Sequence, residues 1–260
     1  RLASRPHAHR SGVRCRRPAG HGSVPNQNSA VLGVAGAGGK VGAWKPPLRL
    51  NETTASYFKR LTTMVEPAVA DQYRALLNPD PKVHGPVEDW MLVNEPQHWS
   101  MTHTSLVPTI MNTGFRYNVI PSEAKATIDV RLHPDENQDT FLEQVRKVVN
   151  DPKVEVRWAR DRYRPAGGSR LNTEAVAAVE AQVTEHYDTV ALPTMGTGAT
   201  DMSNIRAKGP QCYGIGPATD SEDGQKGFGA HSDQERILVA ELHRFVRFQY
   251  DVVMDLARTK

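Results

Sequence analysis

The 260-residue chain is 38% hydrophobic, enough to bury the core of one large or two modest domains, and no apolar run approaches the roughly 20 residues of a membrane span. Its formal charge of +3 is uneven: residues 1–17 hold six arginines and no acid, and without those six the charge falls to −3, so the basic balance describes a segment rather than a nucleic-acid-binding face. Cys15 and Cys212 are too few for a disulfide framework and form no metal motif.

Residues 1–18 show no periodicity and read as an unreliable or disordered basic segment. The start is basic but no apolar run follows, so no secretory leader is read; the compartment stays open between cytoplasmic and exported. Residues 28–43 are apolar and suit a helix weakened by Gly33, Gly36, Gly38 and Gly39, each interior glycine costing about 1 kcal/mol relative to alanine. Residues 53–77 suit helix, with Pro67 as a kink or a new start. Pro79, Pro81 and Pro86 mark a proline-rich stretch. Residues 100–111 and 123–133 read as strands, 138–150 as a helix, and 153–158 as a further strand. In the second strand Ala124, Ala126, Ile128, Val130 and Leu132 alternate with polar residues, giving one buried and one wet face.

Beyond residue 160, Asn172 is the expected N-cap of a helix through Tyr187. A short helix is expected at 201–208, with Asp201 as N-cap, and a short buried strand at 211–215. A long helix is expected over 233–257, with Ile237, Leu238, Leu242, Phe245, Val252 and Leu256 buried.

Asn118-Val119-Ile120-Pro121 precedes the alternating strand, which carries Asp129-Val130-Arg131. Thirteen residues separate Asn118 from Arg131, so the amide and the guanidinium are expected to converge on one anionic ligand, the planar guanidinium fork matching a carboxylate. The alternative is a surface strand with a solvated charge pair.

Four segments in order resemble one family: Gly20-His21-Gly22-Ser23, Asn118-Val119-Ile120-Pro121 with Asp129-Val130-Arg131, Gly198-Ala199-Thr200-Asp201, and Gly229-Ala230-His231-Ser232-Asp233. The family is the zinc-dependent exopeptidases and deacylases, which includes carboxypeptidase S, glutamate carboxypeptidase, aminoacylase, acetylornithine deacetylase and succinyl-diaminopimelate desuccinylase; the likeness is nearest the carboxypeptidase S and N-acyl-amino-acid amidase branch. It covers about residues 19–258.

The resemblance implies an α/β protein: a ferredoxin-like α+β lid for dimerisation over 19–160, with a helical insertion at about 45–98, followed over 161–260 by the C-terminal part of an α/β zinc-hydrolase catalytic domain. It implies that His231 is a ligand of one of two zincs, that His21 reaches across a homodimer to the oxyanion, that Asn118 and Arg131 bind the substrate carboxylate or the oxyanion, and that Thr200 lines the substrate pocket. The implied substrate is an acylated amino acid or short peptide with a free carboxylate. The family's His-x-Asp and Glu-Glu metal motifs have no match here, so most zinc ligands are absent and the chain is expected to be incomplete and inactive alone. A non-catalytic self-associating lid or scaffold and a carboxylate-binding module are the alternatives. His98, His103, His133, His186 and His243 have no ligand spacing and are expected to be core or surface residues.

Overall fold

The computed structural model describes residues 7–158, 167–196, 198, 200–218, 222, 223, 226, 228 and 232–258. Its elements in chain order are β1 (His7–Arg16), β2 (Gly20–His21), α1 (Ala30–Ala43), α2 (Glu52–Leu61), α3 (Pro67–Leu76), α4 (Pro81–Asn94), α5 (Pro96–Thr102), β3 (Ser105–Asn112), β4 (Val119–Ile120), β5 (Glu123–Leu132), α6 (Gln138–Val149), β6 (Val154–Trp158), α7 (Glu174–Tyr187), α8 (Met202–Arg206) and α9 (Val239–Ala257). No described helix is long and apolar enough to cross a membrane.

The main sheet has the order β3-β5-β1-β6, every neighbouring pair antiparallel. With α1 after β1 and α6 between β5 and β6, this is the ferredoxin-like arrangement. The period-two run in β5 buries Ala124, Ala126, Ile128, Val130 and Leu132 as its spacing requires. These residues pack with Val34, Ala37 and Val41 of α1 and Phe141, Val145 and Val149 of α6 in one core. Side-chain oxygens close the helix starts: Ser29 accepts from the Leu32 N–H, Asn137 from those of Asp139 and Thr140. Asn150 ends α6 at φ 45°, a left-handed cap asparagine tolerates.

Residues 7–16 correct the expectation of a disordered basic segment over 1–18. They form β1, an interior strand bonded on both sides. Ser11, Val13 and Cys15 point into the core, while Arg14 and Arg16 ion-pair with Glu123. The period of two was there, hidden by the arginine-rich wet face.

The helical insertion runs from α2 to α5, ending a few residues beyond the expected 98. Pro67 starts α3 at a position where its missing N–H costs nothing. Pro96 likewise starts α5, so residues 100–102 are helix rather than strand. Pro86 lies within α4. Tyr57, Phe58, Tyr73, Leu76, Met91 and Trp99 form a second core, joined by Met195 from the C-terminal part. Arg49 holds the insertion to the lid: its Nη2 donates to Oε1 of the buried Glu136 at 2.8 Å.

In the C-terminal part, Val176 and Val179 of α7 pack against Phe248 and Val252 of α9. The N-cap of α7 is Thr173 rather than Asn172. Residues 211–215 pair with no strand among the described residues, so the expected buried strand is not formed. The long helix begins at Val239, not 233, and Ile237, Leu238, Leu242 and Leu256 are exposed rather than buried; no described element covers that side.

Candidate functional site at the ends of the lid sheet

His21 lies in β2, whose only two residues pair with β4: Gly20 with Ile120 and His21 with Val119. The next amide, Gly22 N–H, donates to the Asn118 carbonyl at 2.9 Å. A Cβ at position 22 would stand 3.4 Å from Asn118 Cα, so glycine lets the two segments approach. The histidine and asparagine singled out by sequence are thus neighbours, though ninety-seven residues apart in the chain.

The exposed His21 ring has a defined hydrogen-bonding state. The Ser23 backbone N–H donates to its Nδ1 at 3.2 Å, and Ser23 Oγ lies 2.7 Å from the same atom. A ring nitrogen that accepts from an amide carries no proton, so the neutral imidazole bears its hydrogen on Nε2. The side chain therefore presents a donor to whatever approaches the lid.

Arg131 corrects the expected convergence. It stands eight residues along β5 from Glu123, about 26 Å in extended chain, while Asn118 lies beyond the Glu123 end. Its cross-strand neighbours are Ala8 and Ser105, at the other end of the sheet. Within one chain Asn118 and Arg131 do not meet, because an uninterrupted strand holds them apart. Asp129 accepts a hydrogen bond from Arg131 Nε at 2.7 Å.

One feature of the His21 end was missed by sequence reading. Glu123 gathers Arg14, Arg16 and Lys125, and donation from Lys125, Arg16 and Arg14 pulls its carboxyl down to about 2. Arg16 stands opposite Glu123 and Arg14 opposite Lys125 across β1 and β5, so the cluster was readable only once β1 was recognised as a strand.

Thr200 stands just before α8, where its carbonyl accepts from Ser203 Oγ at 2.9 Å. Asp201 occupies the N-cap position of α8 but makes no side-chain cap bond. His231 lies outside the described residues. Among the described residues no group of three or more His, Cys, Asp or Glu could hold a metal ion. Hence the described residues supply no zinc cradle. The five histidines set aside from ligation have other roles: His103 and His133 are buried, His98 bonds Glu95 and Tyr57, His186 faces Asp251, and His243 is exposed.

Residues 69–157 match the peptidase dimerisation domain of the M20 group. Over 236 residues the chain is 25% identical to probable carboxypeptidase S-like 2 of Dictyostelium discoideum, covering 90% of this chain and 44% of that protein. The chain carries a peptidase dimerisation domain and is a homologue of carboxypeptidase S-like proteins. It is also 24% identical over 179 residues to the mouse N-fatty-acyl-amino acid synthase/hydrolase PM20D1, covering 34% of that protein. It thus spans less than half the length of these relatives. The fold resembles the M20 family metallo-carboxypeptidase Sso-CP2 of Sulfolobus solfataricus (TM-score 0.62, 13% identity, 97% of this chain and 59% of that one). It also resembles the di-peptidase Dug1p of Saccharomyces cerevisiae (TM-score 0.59, 13% identity, 98% and 56%). β1 and α1, outside the matched span, complete the sheet and core that its strands enter.

Proposed function

We propose that this chain is the lid and C-terminal part of a zinc-dependent amide hydrolase, an exopeptidase or N-acyl-amino-acid deacylase, and that it does not hydrolyse amides by itself. The observation that carries the reading is the separation of His21 and Asn118 from Arg131 on a dimerisation-domain sheet. Residues that cannot meet within one chain can meet between two, so the lid end of one copy would face a ligand held by Arg131 of another.

In that arrangement the His21 Nε2–H donates to the attacked carbonyl oxygen as negative charge develops there. Removing one such donor typically costs about 2.7–4 kcal/mol of transition-state stabilisation. Asn118 adds an amide donor beside it. Arg131, its Nε fixed by Asp129, offers its remaining N–H groups to the substrate's carboxylate. Thr200 would line the pocket, and His231 would be a zinc ligand. The substrate would be an acylated amino acid or short peptide with a free carboxylate.

Self-association fits the sheet edges. β3 is one edge, and its Val107, Ile110 and Met111 are exposed. β6, the other, carries Glu155 and Arg157 outward, charges that discourage strand addition. The β3 edge is the surface through which a homodimer would form.

The test is zinc titration and turnover of the 260-residue chain with N-acyl amino acids. The expected result is less than one tightly bound zinc and no hydrolysis; two zincs, or turnover abolished by a chelator, overturns the claim of inactivity. The matched dimerisation domain also fits a second reading, a non-catalytic self-associating carboxylate binder. That reading requires carboxylate binding that survives chelation and is lost in Arg131→Ala.

A further inference from the structure

Two buried histidines face each other where the chain passes from the helical insertion into the lid. The β3–β5 ladder ends at the pair Ser105 and Arg131. Two residues further in the same register, His103 stands opposite His133. The His133 backbone N–H donates to the Thr104 hydroxyl oxygen at 3.0 Å, which ties the two segments together there. Neither histidine side chain is exposed.

Each ring has a defined hydrogen-bonding state. His103 lies flat on Trp99, ring centroids 4.2 Å apart, and its Nε2 faces Glu88 Oε2 at 2.8 Å. A carboxylate only accepts, so the His103 proton sits on Nε2, and Nδ1 is left to accept from Thr102 Oγ1 at 2.9 Å. His133 Nδ1 accepts from the Asp135 N–H at 3.4 Å. Its proton therefore sits on Nε2, a buried atom with no partner among the described residues.

The charged and titratable groups that face the pair come from three segments. His84 and Glu88 approach from α4, one carboxylate bonding both His84 and His103. Arg49, ahead of α2, pairs with Glu136, and Asp135 lies beside His133. Burial outweighs the two carboxylates that would favour charge: it lowers His133 against Asp135 and His103 against Glu88. A proton on His133 is opposed further by Arg49 and by a charged His103. Two imidazolium ions would stand close together out of water, and opening the joint would hydrate both.

We infer that this histidine pair is an acid-operated joint: uncharged, it docks the insertion on the end of the lid sheet, and charged, it releases it. Met195 of the C-terminal part packs in the core of the insertion, so release loosens the lid from that part as well. The device needs neither zinc nor turnover and is independent of the hydrolase reading.

The experiment is hydrogen–deuterium exchange of the 260-residue chain, stepped down from neutral to mildly acid pH, with rates corrected for the pH dependence of an unstructured amide. Residues 96–104 should open more as pH falls, by up to about tenfold per pH unit for each proton taken up. They should exchange ahead of residues 141–149 in α6 throughout. In the double variant His103→Gln/His133→Gln the side-chain amides take up no proton and can still donate, so the acid response of 96–104 should vanish. Corrected exchange of 96–104 that ignores pH overturns the inference in the parent chain alone. So does exchange of 96–104 and 141–149 at one common rate, which makes the acid effect global unfolding. An acid response that persists in the folded double variant overturns it equally, because other groups would then carry it.

Discussion

Gly33 of α1 lies so close to Cys15 of β1 that a Cβ at position 33 would stand 2.7 Å from the Cys15 sulfur. That distance is far inside van der Waals contact, and Cys15 is fully buried among Val34, Ala124 and Val154. Glycine at 33 is therefore what brings the first helix down onto the central strand.

Gly33→Ala should destabilise the protein by about 1–3 kcal/mol through overpacking. Gly36, one turn on, would meet nothing within 4 Å if given a Cβ. Gly36→Ala should instead stabilise by up to about 1 kcal/mol through helix propensity. Urea unfolding of the two variants checks the pair; the same sign for both would show that helix propensity, not the contact with Cys15, governs this helix.

Stability should fall between pH 6.5 and about 4. His133 is fully buried, its Nε2 has no partner among the described residues, and burial lowers its pKa to about 4. Burial lowers His103 as well, against the opposing Glu88. A folded state that refuses a proton while the unfolded chain accepts one loses stability as pH falls. The His133 contribution is complete above pH 6.5 and lost progressively down to about pH 4, amounting to about 3 kcal/mol at 1.36 kcal/mol per pH unit. His133→Gln should flatten the slope of unfolding free energy against pH over that window. An unchanged slope would assign the effect to other groups.

The β3 edge predicts the oligomer. Ile110→Lys places a charge on that exposed strand and should shift the protein toward monomer in sedimentation. Arg157→Ala on the β6 edge should not. If both variants sediment like the parent, neither sheet edge is the interface.

The insertion and the C-terminal part share an anchor at Arg60, which donates to the Ala191 carbonyl at 2.8 Å and pairs with Glu180. Arg60→Ala should cost about 1–2 kcal/mol, since a partly buried carbonyl loses a charge-assisted bond. Limited proteolysis should then cleave sooner near residues 188–196. Parental cleavage kinetics would mean that the Met195 core alone holds the two parts together.

Reading the sequence worked where a periodicity or a local motif was enough. The alternation in β5 named its buried residues, and the order of segments named the fold and the relatives. It failed at β1, because six arginines over residues 1–17 masked an alternation whose inward set includes small Ser11 and Cys15. It failed on α9, where an apolar stripe says that a face wants burial but not whether a partner element stands there.

Local pattern determined the class of the protein and which residues deserve attention, since side-chain period and turn chemistry act over a few neighbours. Which of those residues meet is a matter of strand order and register, set by contacts between segments distant in the chain. Only the tertiary structure could seat His21 beside Asn118, and carry Arg131 away from both along a straight strand.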